Sequence, residues 1–449
     1  MNNLYNLSPI DSRYQEITKD LEEYLSEYAL IKYRVFTEIK WLIFLIDKKI
    51  INFPSKKEIK KIEEIYEKFT IDEAVKVKEI EKTTKHDVKA IEYYLRDKFK
   101  ELKIDKLNSY IHFLLTSEDI NNVSYNLMIK ESLNKVYFNN IDSLIAKLDE
   151  LSNEYKMTIM LGHTHGQVAT PTSVGKEFKV FSYRLKSVYD LLKKIKLKSK
   201  FSGTVGNYNA HMLAYPNVDW ISLTKEFIES LNLDYNPLTT QIESHDTLCI
   251  MLSYLKVLNN IIKDLNSDMW LYISRNYFSE KTIKKEVGSS VMPHKVNPIN
   301  HENSMANIEL SNGLIDALVN NLSISRMQRD LSDSSKLRNI GVIIGHSLVS
   351  INQTLIGLNK IIVNRDVLDN ELEDNYVVLC EAIQTILRKN NIENAYEQLK
   401  DLSRGQKITK DILQDYIKNL NINQNDKKIL LSLTPKTYIG LVKELVENN

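Results

Sequence analysis

Residues 244–274 read SHDTLCIMLSYLKVLNNIIKDLNSDMWLYIS, and the periodicity of this stretch decides the fold class. Leu248, Met251, Leu252, Leu255, Leu258, Ile262, Leu265, Met269 and Ile273 recur at spacings of three and four, as one face of an α-helix requires. Ser244-His245-Asp246 offers an N-cap before the first apolar residue. No Gly or Pro occurs from Leu238 to Val287, so nothing interrupts the pattern. A stripe of this length is more than a small monomer can cover, which predicts burial in a bundle of long helices and admits one extended across subunits. Gly313 to Leu348 reads similarly, with interruptions.

The whole chain supports that reading. It has 12 Gly and 8 Pro in 449 residues, well below the typical usage of roughly 7% and 5%. Sheet-rich and parallel α/β folds need frequent turn residues, so the deficit predicts an all-α chain. None of the 20 lies between Ser55 and Leu161. At about 150 residues per domain the length suggests three units. We place soft boundaries near residues 105 and 360, giving an N-terminal helical domain (1–105), a central long-helix bundle (106–360) and a C-terminal helical domain (361–449).

Sixty Lys and Arg against 59 Asp and Glu leave a net charge of +1. A broad basic face for nucleic acid is therefore not expected, and any anion site must be local. The two cysteines, Cys249 and Cys380, form no CxxC and exclude a disulfide framework or a thiolate zinc cluster, which fits a reducing cytoplasm. The start, MNNLYNLSPIDSRY, lacks the basic and apolar regions of a signal peptide. The apolar run from Trp41 to Ile46 stops at Asp47, Lys48 and Lys49, so no membrane partner is expected either.

Eleven of the 20 Gly and Pro residues fall in windows 162–175, 203–237 and 288–298. Loops held by a rigid scaffold commonly carry catalytic groups, although such windows are also simply the turns of a bundle. The first contains Gly162-His163-Thr164-His165-Gly166-Gln167; with no HExxH and no evident third ligand, an acid–base histidine fits better than a metal site. The third, Gly288-Ser289-Ser290-Val291-Met292-Pro293-His294-Lys295-Val296-Asn297-Pro298, lacks GxSxG. A turn alone gains nothing from a lysine and an asparagine at this spacing. Lys82 to Asp87 reads as a helix cap. Thr116-Ser117-Glu118-Asp119 is a helix start or a ligand-facing turn. Arg326 to Arg338 reads by default as a solvated charged face.

Together these segments resemble the adenylosuccinate lyase family of the fumarase/aspartase superfamily, in the form common in bacteria. GSSVMPHKVNP is similar to the superfamily signature loop, while TSEDINN, KTTKHDVKAIEYYL, THGQVATPTSVGKE, NYNAHMLAYPNVDW and RDLSDSSKLRN resemble this family in particular. The similarity runs from about Ser8 to Tyr438. Val168 departs from a proline usual after the Gln, and His163 stands where an arginine or another residue is expected.

The resemblance implies a fumarase/aspartase-like all-α fold, a homotetramer with each active site built from three subunits, and no metal or organic cofactor. It also implies removal of fumarate from adenylosuccinate, giving AMP, and from the succinyl-carboxamide ribotide of purine synthesis (SAICAR), giving AICAR. By similarity Ser289 is the base and His165 the acid, with Lys295 the cation that activates the serine. Arg13, Tyr14, Arg329, Ser334 and Arg338 would hold phosphate and carboxylate groups. Thr116, Ser117, Gln241, Lys295 and Asn297, with Asn303 just beyond the loop, would grip the succinyl part. Lys85, His86 and Asp87 would line the site. The competing readings are an argininosuccinate-cleaving lyase and a helical scaffold without chemistry; packing alone does not require His165, Ser289, Lys295 and Asn297 together.

Overall fold

A computed structural model of the chain describes residues 3–52, 56–282, 291–292, 294–405 and 407–449. Helix accounts for 68% of it, which makes the chain all-α as the glycine deficit predicts. The helix expected from residue 246 runs over Asp246–Ser274, and Leu248, Met251, Leu252, Leu255, Leu258, Ile262, Leu265 and Met269 on its stripe are all buried. Downstream, the interruptions fall between Ile299–Leu322, Ser332–Leu337 and Ile340–Lys360.

Between residues 55 and 161 the absence of Gly and Pro did not prevent turns. Five α-helices, Lys56–Glu67, Ile71–Thr84, Asp87–Glu101, Ser117–Ser132 and Phe138–Glu154, divide the stretch, and the last two are joined by a π-helical turn at Leu133–Tyr137. The breaks use Lys85, Lys103, His112 and Leu114 in the left-handed region, with φ between 53° and 70°. At His112 the strain has a visible counterweight. The buried Glu38 carboxylate accepts the His112 backbone N–H at 3.1 Å and pairs with Nδ1 at 2.6 Å. Burial opposes the imidazolium, yet Glu38 raises the His112 pKa above its ordinary value.

The chain separates into two compact units. One comprises residues 1–141, 188–260 and 306–352. Its core holds Trp41 edge-on to Phe201 and Phe227, with ring centroids 4.8 and 5.1 Å away. A polar layer crosses its long helices: Ser347 donates to Asn259 Oδ1 at 2.6 Å, Asn259 donates to Ser311 at 3.1 Å, and Tyr137 meets Ser347 at 2.8 Å. Such a satisfied layer fixes helix register where apolar contacts alone would allow slippage.

The other unit comprises residues 142–187, 261–305 and 353–449. Asn266 is its polar hub, donating to Ile262 O, Ser304 and Thr354 at 2.7–3.1 Å. Short C-terminal helices bury Leu372, Leu379, Ile383, Leu387, Leu413 and Ile417 against Ile159 and Leu161. Those last two lie on a feature the sequence reading did not anticipate, an antiparallel hairpin of Ile159–Thr164 and Gln167–Ser173. It occupies the first glycine-rich window. Gly162 sits so close to its partner strand that an added Cβ would lie 2.8 Å from Thr170 O, and Gly166 has φ +72° at the turn.

Residues Ser332–Lys360 are long and apolar enough to cross a membrane, but 67% of the most apolar window is buried within the protein, as in a core helix. The earlier candidate at Trp41 lies inside the buried helix Glu27–Asp47.

Candidate active site

Most of the expected binding residues belong to the first unit, and the structure joins several through one chain of charged contacts. Thr116 is the N-cap of helix Ser117–Ser132. It forms a reciprocal capping box with Asp119, whose Oδ2 accepts the Thr116 N–H at 2.9 Å. That settles Thr116-Ser117 as a helix start, half-buried at its N-terminal end, where the positive dipole and free N–H groups favour an anion.

One residue on, Glu118 is 1% exposed, and its Oε2 lies 3.2 Å from Arg329 Nη2. Arg329 also donates to Gln241 Oε1 at 3.2 Å and to Ser334 Oγ at 3.3 Å. Two expected residues, Gln241 and Ser334, thus contact a third, Arg329, whose guanidinium also meets a carboxylate that the sequence reading did not assign. Burial pushes the Glu118 pKa up to about 7, with Arg329 pulling the other way.

Behind this group stands His245, with Nε2 3.6 Å from Asp333 Oδ2; both are buried. Burial disfavours its imidazolium, but Asp333, Glu243 and Glu118 outweigh burial and raise its pKa. Asp333 responds inversely: burial raises its pKa, while His245 and then Arg329 bring it below the ordinary value. Asp333 Oδ1 accepts the Ser334 N–H at 2.7 Å, fixing that serine beside Arg329.

The contacts continue through Asn121, which donates to Glu118 at 3.4 Å and accepts from Arg34 Nε at 2.9 Å. Arg34 Nη2 then meets Asp87 Oδ2 at 2.8 Å, and Arg338 Nη2 meets the same oxygen at 3.0 Å. Arg338 Nη1 pairs with Glu27 at 2.6 Å. Burial raises the Asp87 pKa, but the two arginines and the Val88 N–H leave it below the ordinary value. His86 caps helix Asp87–Glu101 by accepting the Lys89 N–H on Nδ1 at 3.1 Å, and Lys85 is exposed in the left-handed turn before it. The cap expected at Lys82 to Asp87 is therefore present, with Asp87 held between Arg34 and Arg338. Arg13 is exposed and Tyr14 half-buried near the N-terminus.

A second buried ion pair supports the same region. Lys200 and Asp119 are both 0% exposed, with Nζ 2.9 Å from Oδ1. Lys200 also donates to Gly203 O at 2.8 Å and to Gln241 O at 2.9 Å. Asp119 accepts the Ser202 and Gly203 N–H groups at 3.0 and 3.1 Å. One lysine thus backs both the backbone of Gln241 and the acid that caps Thr116.

In the second unit, His165 is exposed at the tip of the hairpin with φ 54°, followed by Gly166. A cavity of about 650 Å³ lies along the hairpin, lined by His163, Lys176, Glu177, Asp268 and Arg275 among others. His163, the departure noted above, has Nε2 3.9 Å from Glu371, which also binds Arg275 and Tyr277. Lys295 is exposed, Asn297 and Asn303 are half-buried, and Asn303 lies on helix Ile299–Leu322. Ser289, with Gly288 and Ser290, lies outside the described residues.

Sequence comparison gives two matching family models, Lyase over residues 31–309 and Adenylosuccinate lyase C-terminal over residues 325–439. The chain is 46% identical to the adenylosuccinate lyase of Buchnera aphidicola subsp. Schizaphis graminum, covering 100% of this chain and 99% of that one. It is 46% identical to the adenylosuccinate lyase of Legionella pneumophila (strain Corby), over 98% of both, and 41% identical to that of Escherichia coli (strain K12), over 100% and 99%. Among solved structures, a fumarate lyase from Mesorhizobium sp. BNC1 superposes with a TM-score of 0.78 at 18% identity, covering 96% of this chain and 97% of that one. That last likeness speaks to the fold alone.

Proposed function

The chain belongs to the adenylosuccinate lyase family of the fumarase/aspartase superfamily and is a C–N lyase; on that premise we propose that it eliminates fumarate from adenylosuccinate, giving AMP, and from SAICAR, giving AICAR. The proton next to a carboxylate is a very weak acid, and its loss places extra negative charge on that carboxylate. The reaction needs a base, an acid for the departing nitrogen, and donors already in place for the charge.

Ser289 is the proposed base, with Lys295 favouring its ionised form, and His165 the proposed acid. An exposed histidine at a hairpin tip is free to meet a substrate held elsewhere. Arg329, which already contacts both Gln241 and Ser334, is with them the proposed grip on one anionic group; arginine can offer paired donors that lysine cannot. Arg13, Tyr14 and Arg338 are the proposed phosphate and carboxylate partners, with Lys85, His86 and Asp87 lining the site. Thr116, Ser117, Lys295, Asn297 and Asn303 are proposed for the succinyl part. A cytoplasmic homotetramer completes the reading, with the three-part division at residues 105 and 360 and no cofactor.

The observation that carries it is the Arg329 cluster: a near-neutral chain places a guanidinium, an amide and a hydroxyl together beside a helix N-terminus. The test is ultraviolet absorbance with adenylosuccinate, SAICAR and argininosuccinate in parallel. Turnover of the first two and none of the third is expected; turnover of argininosuccinate alone would replace this reading.

A further inference from the structure

Glu118 is a carboxylate without a role in the mechanism just given. It lies in the first turn of helix Ser117–Ser132, next to two proposed succinyl-binding residues, and it is buried. Among the described residues the charged groups that face it are Arg329, at 3.2 Å, and the His245–Asp333 pair. Asn121 is its neutral neighbour, at 3.4 Å. Among the described residues Arg329 has three side-chain partners: Gln241 on Nη1, and Ser334 and Glu118 on Nη2. Of these only Glu118 carries charge. Gln241 and Ser334 orient the guanidinium whatever the pH, whereas Glu118 either neutralises it or leaves its charge for a ligand.

We propose that Glu118 is a positioning residue that holds Arg329 toward the anionic end of the substrate and takes up a proton when that anion binds. The inference rests on the lyase reading for the identity of the anion, and its physical basis is competition for one guanidinium. An ionised Glu118 already satisfies Arg329 electrostatically, so an incoming carboxylate or phosphate meets a nearly neutral pair and a second negative charge. A protonated Glu118 still orients Arg329 as a neutral acceptor and presents the full positive charge to the ligand. Two anions on one arginine in a site screened from water repel each other, and releasing that repulsion by protonating the buried one is the low-energy route.

The geometry has a pH consequence of definite sign. Burial places Glu118 at about 7 in the free protein, so it is divided between its two forms near neutrality. An anion on Arg329 withdraws the opposing charge and raises the pKa further. Binding is therefore strongest below the free-protein pKa and weakens as pH rises through it. If the bound pKa is one unit higher, binding at pH 7 takes up about 0.4 proton per site, and KM rises about fivefold between pH 6 and 8. His245, whose pKa Asp333, Glu243 and Glu118 hold above its ordinary value against the opposing effect of burial, touches Asp333 rather than Arg329, so replacing Glu118 alone separates the two.

The experiment is calorimetric titration of the full-length wild-type protein with fumarate and, separately, with AMP at pH 7, in buffers of different ionisation heat, alongside Glu118→Gln. Fumarate has no group that titrates between pH 6 and 8; AMP does, and the difference between the two proteins removes its contribution. With at least one ligand the wild type should take up about 0.4 proton more than the variant. The rise of KM for adenylosuccinate with pH should flatten in Glu118→Gln, while the pH profile of kcat keeps its shape. A merely structural role would change stability and leave the KM profile parallel. Equal proton uptake and parallel KM profiles would overturn the inference, and if the variant does not fold, zero uptake by the wild type with both ligands overturns it. Failure of the lyase reading is a separate result, since it appears as no turnover of adenylosuccinate by the wild type.

Discussion

Replacing Lys200 by methionine tests whether the interior of the first unit is held by its buried charges. Methionine keeps the length and most of the volume, so the change removes an ammonium group with little cavity term. Three contacts go with it: Asp119 Oδ1 at 2.9 Å, Gly203 O at 2.8 Å and Gln241 O at 2.9 Å. Breaking a buried ion pair from one side typically costs about 3–5 kcal/mol, because the other charge remains without compensation. Here Asp119 keeps three backbone N–H donors, from Thr116, Ser202 and Gly203, which places the expected loss toward the lower end, at about 3 kcal/mol. Removing both charges, in Lys200→Met with Asp119→Asn, should cost less than the sum of the single changes by at least about 2 kcal/mol. The assay is urea unfolding followed by circular dichroism at one protein concentration, since subunit association would otherwise shift the midpoint. Lys200→Met within about 0.5 kcal/mol of wild type, or strict additivity in the cycle, would refute the reasoning.

Ser289→Ala and His165→Ala should each lower kcat for adenylosuccinate by at least about 10²-fold, the lower scale for losing a positioned acid or base, with circular dichroism unchanged; a severe Ser290→Ala beside a benign Ser289→Ala would transfer the role to the neighbour. His211 is 0% exposed among Tyr208 and Trp220, and burial lowers its pKa to about 4. Its folded pKa lies below the unfolded value of about 6.5, so the unfolded chain binds the proton first and stability falls as pH drops from about 6.5 toward 4. His211→Phe should make urea midpoints at pH 5 and pH 7 differ less than in wild type; an unchanged difference would contradict this. Light scattering at micromolar concentration should give a tetramer, and a fully active monomer would refute that assembly.

The long helix from residue 246 was legible because one periodic signal dominates 29 residues. The hairpin was not. Its strands are six and seven residues long, contain Gly162 and Pro171, and bury an irregular subset of side chains, so the window reads as a loop. Glu118 and Asp119 illustrate a different limit. After Thr116-Ser117 both look like helix-start acids; Asp119 indeed caps, but each also meets a cation distant in sequence, Arg329 and Lys200. Lys200 sits in the sequence KLKSKF, where every lysine looks like a surface residue until the fold buries one. The Arg326 to Arg338 segment, read as a solvated face, matches that description at Arg326, which is exposed, and not at Arg329 or Asp333. Residues 332–360 are a longer apolar stretch than the run at Trp41, but Lys336, Arg338 and Asn339 break its pattern in sequence.

Active sites built from three subunits, as the family resemblance implies, would bring Ser289 and His165 to one substrate from different subunits, and mixing tests that most directly. Inactive Ser289→Ala and inactive His165→Ala proteins, combined in equal amounts and allowed to exchange subunits, should regain adenylosuccinate turnover. With random exchange about a quarter of the sites receive both intact groups. Activity near a quarter of wild type is the expected result; proven exchange with no regained turnover would contradict it.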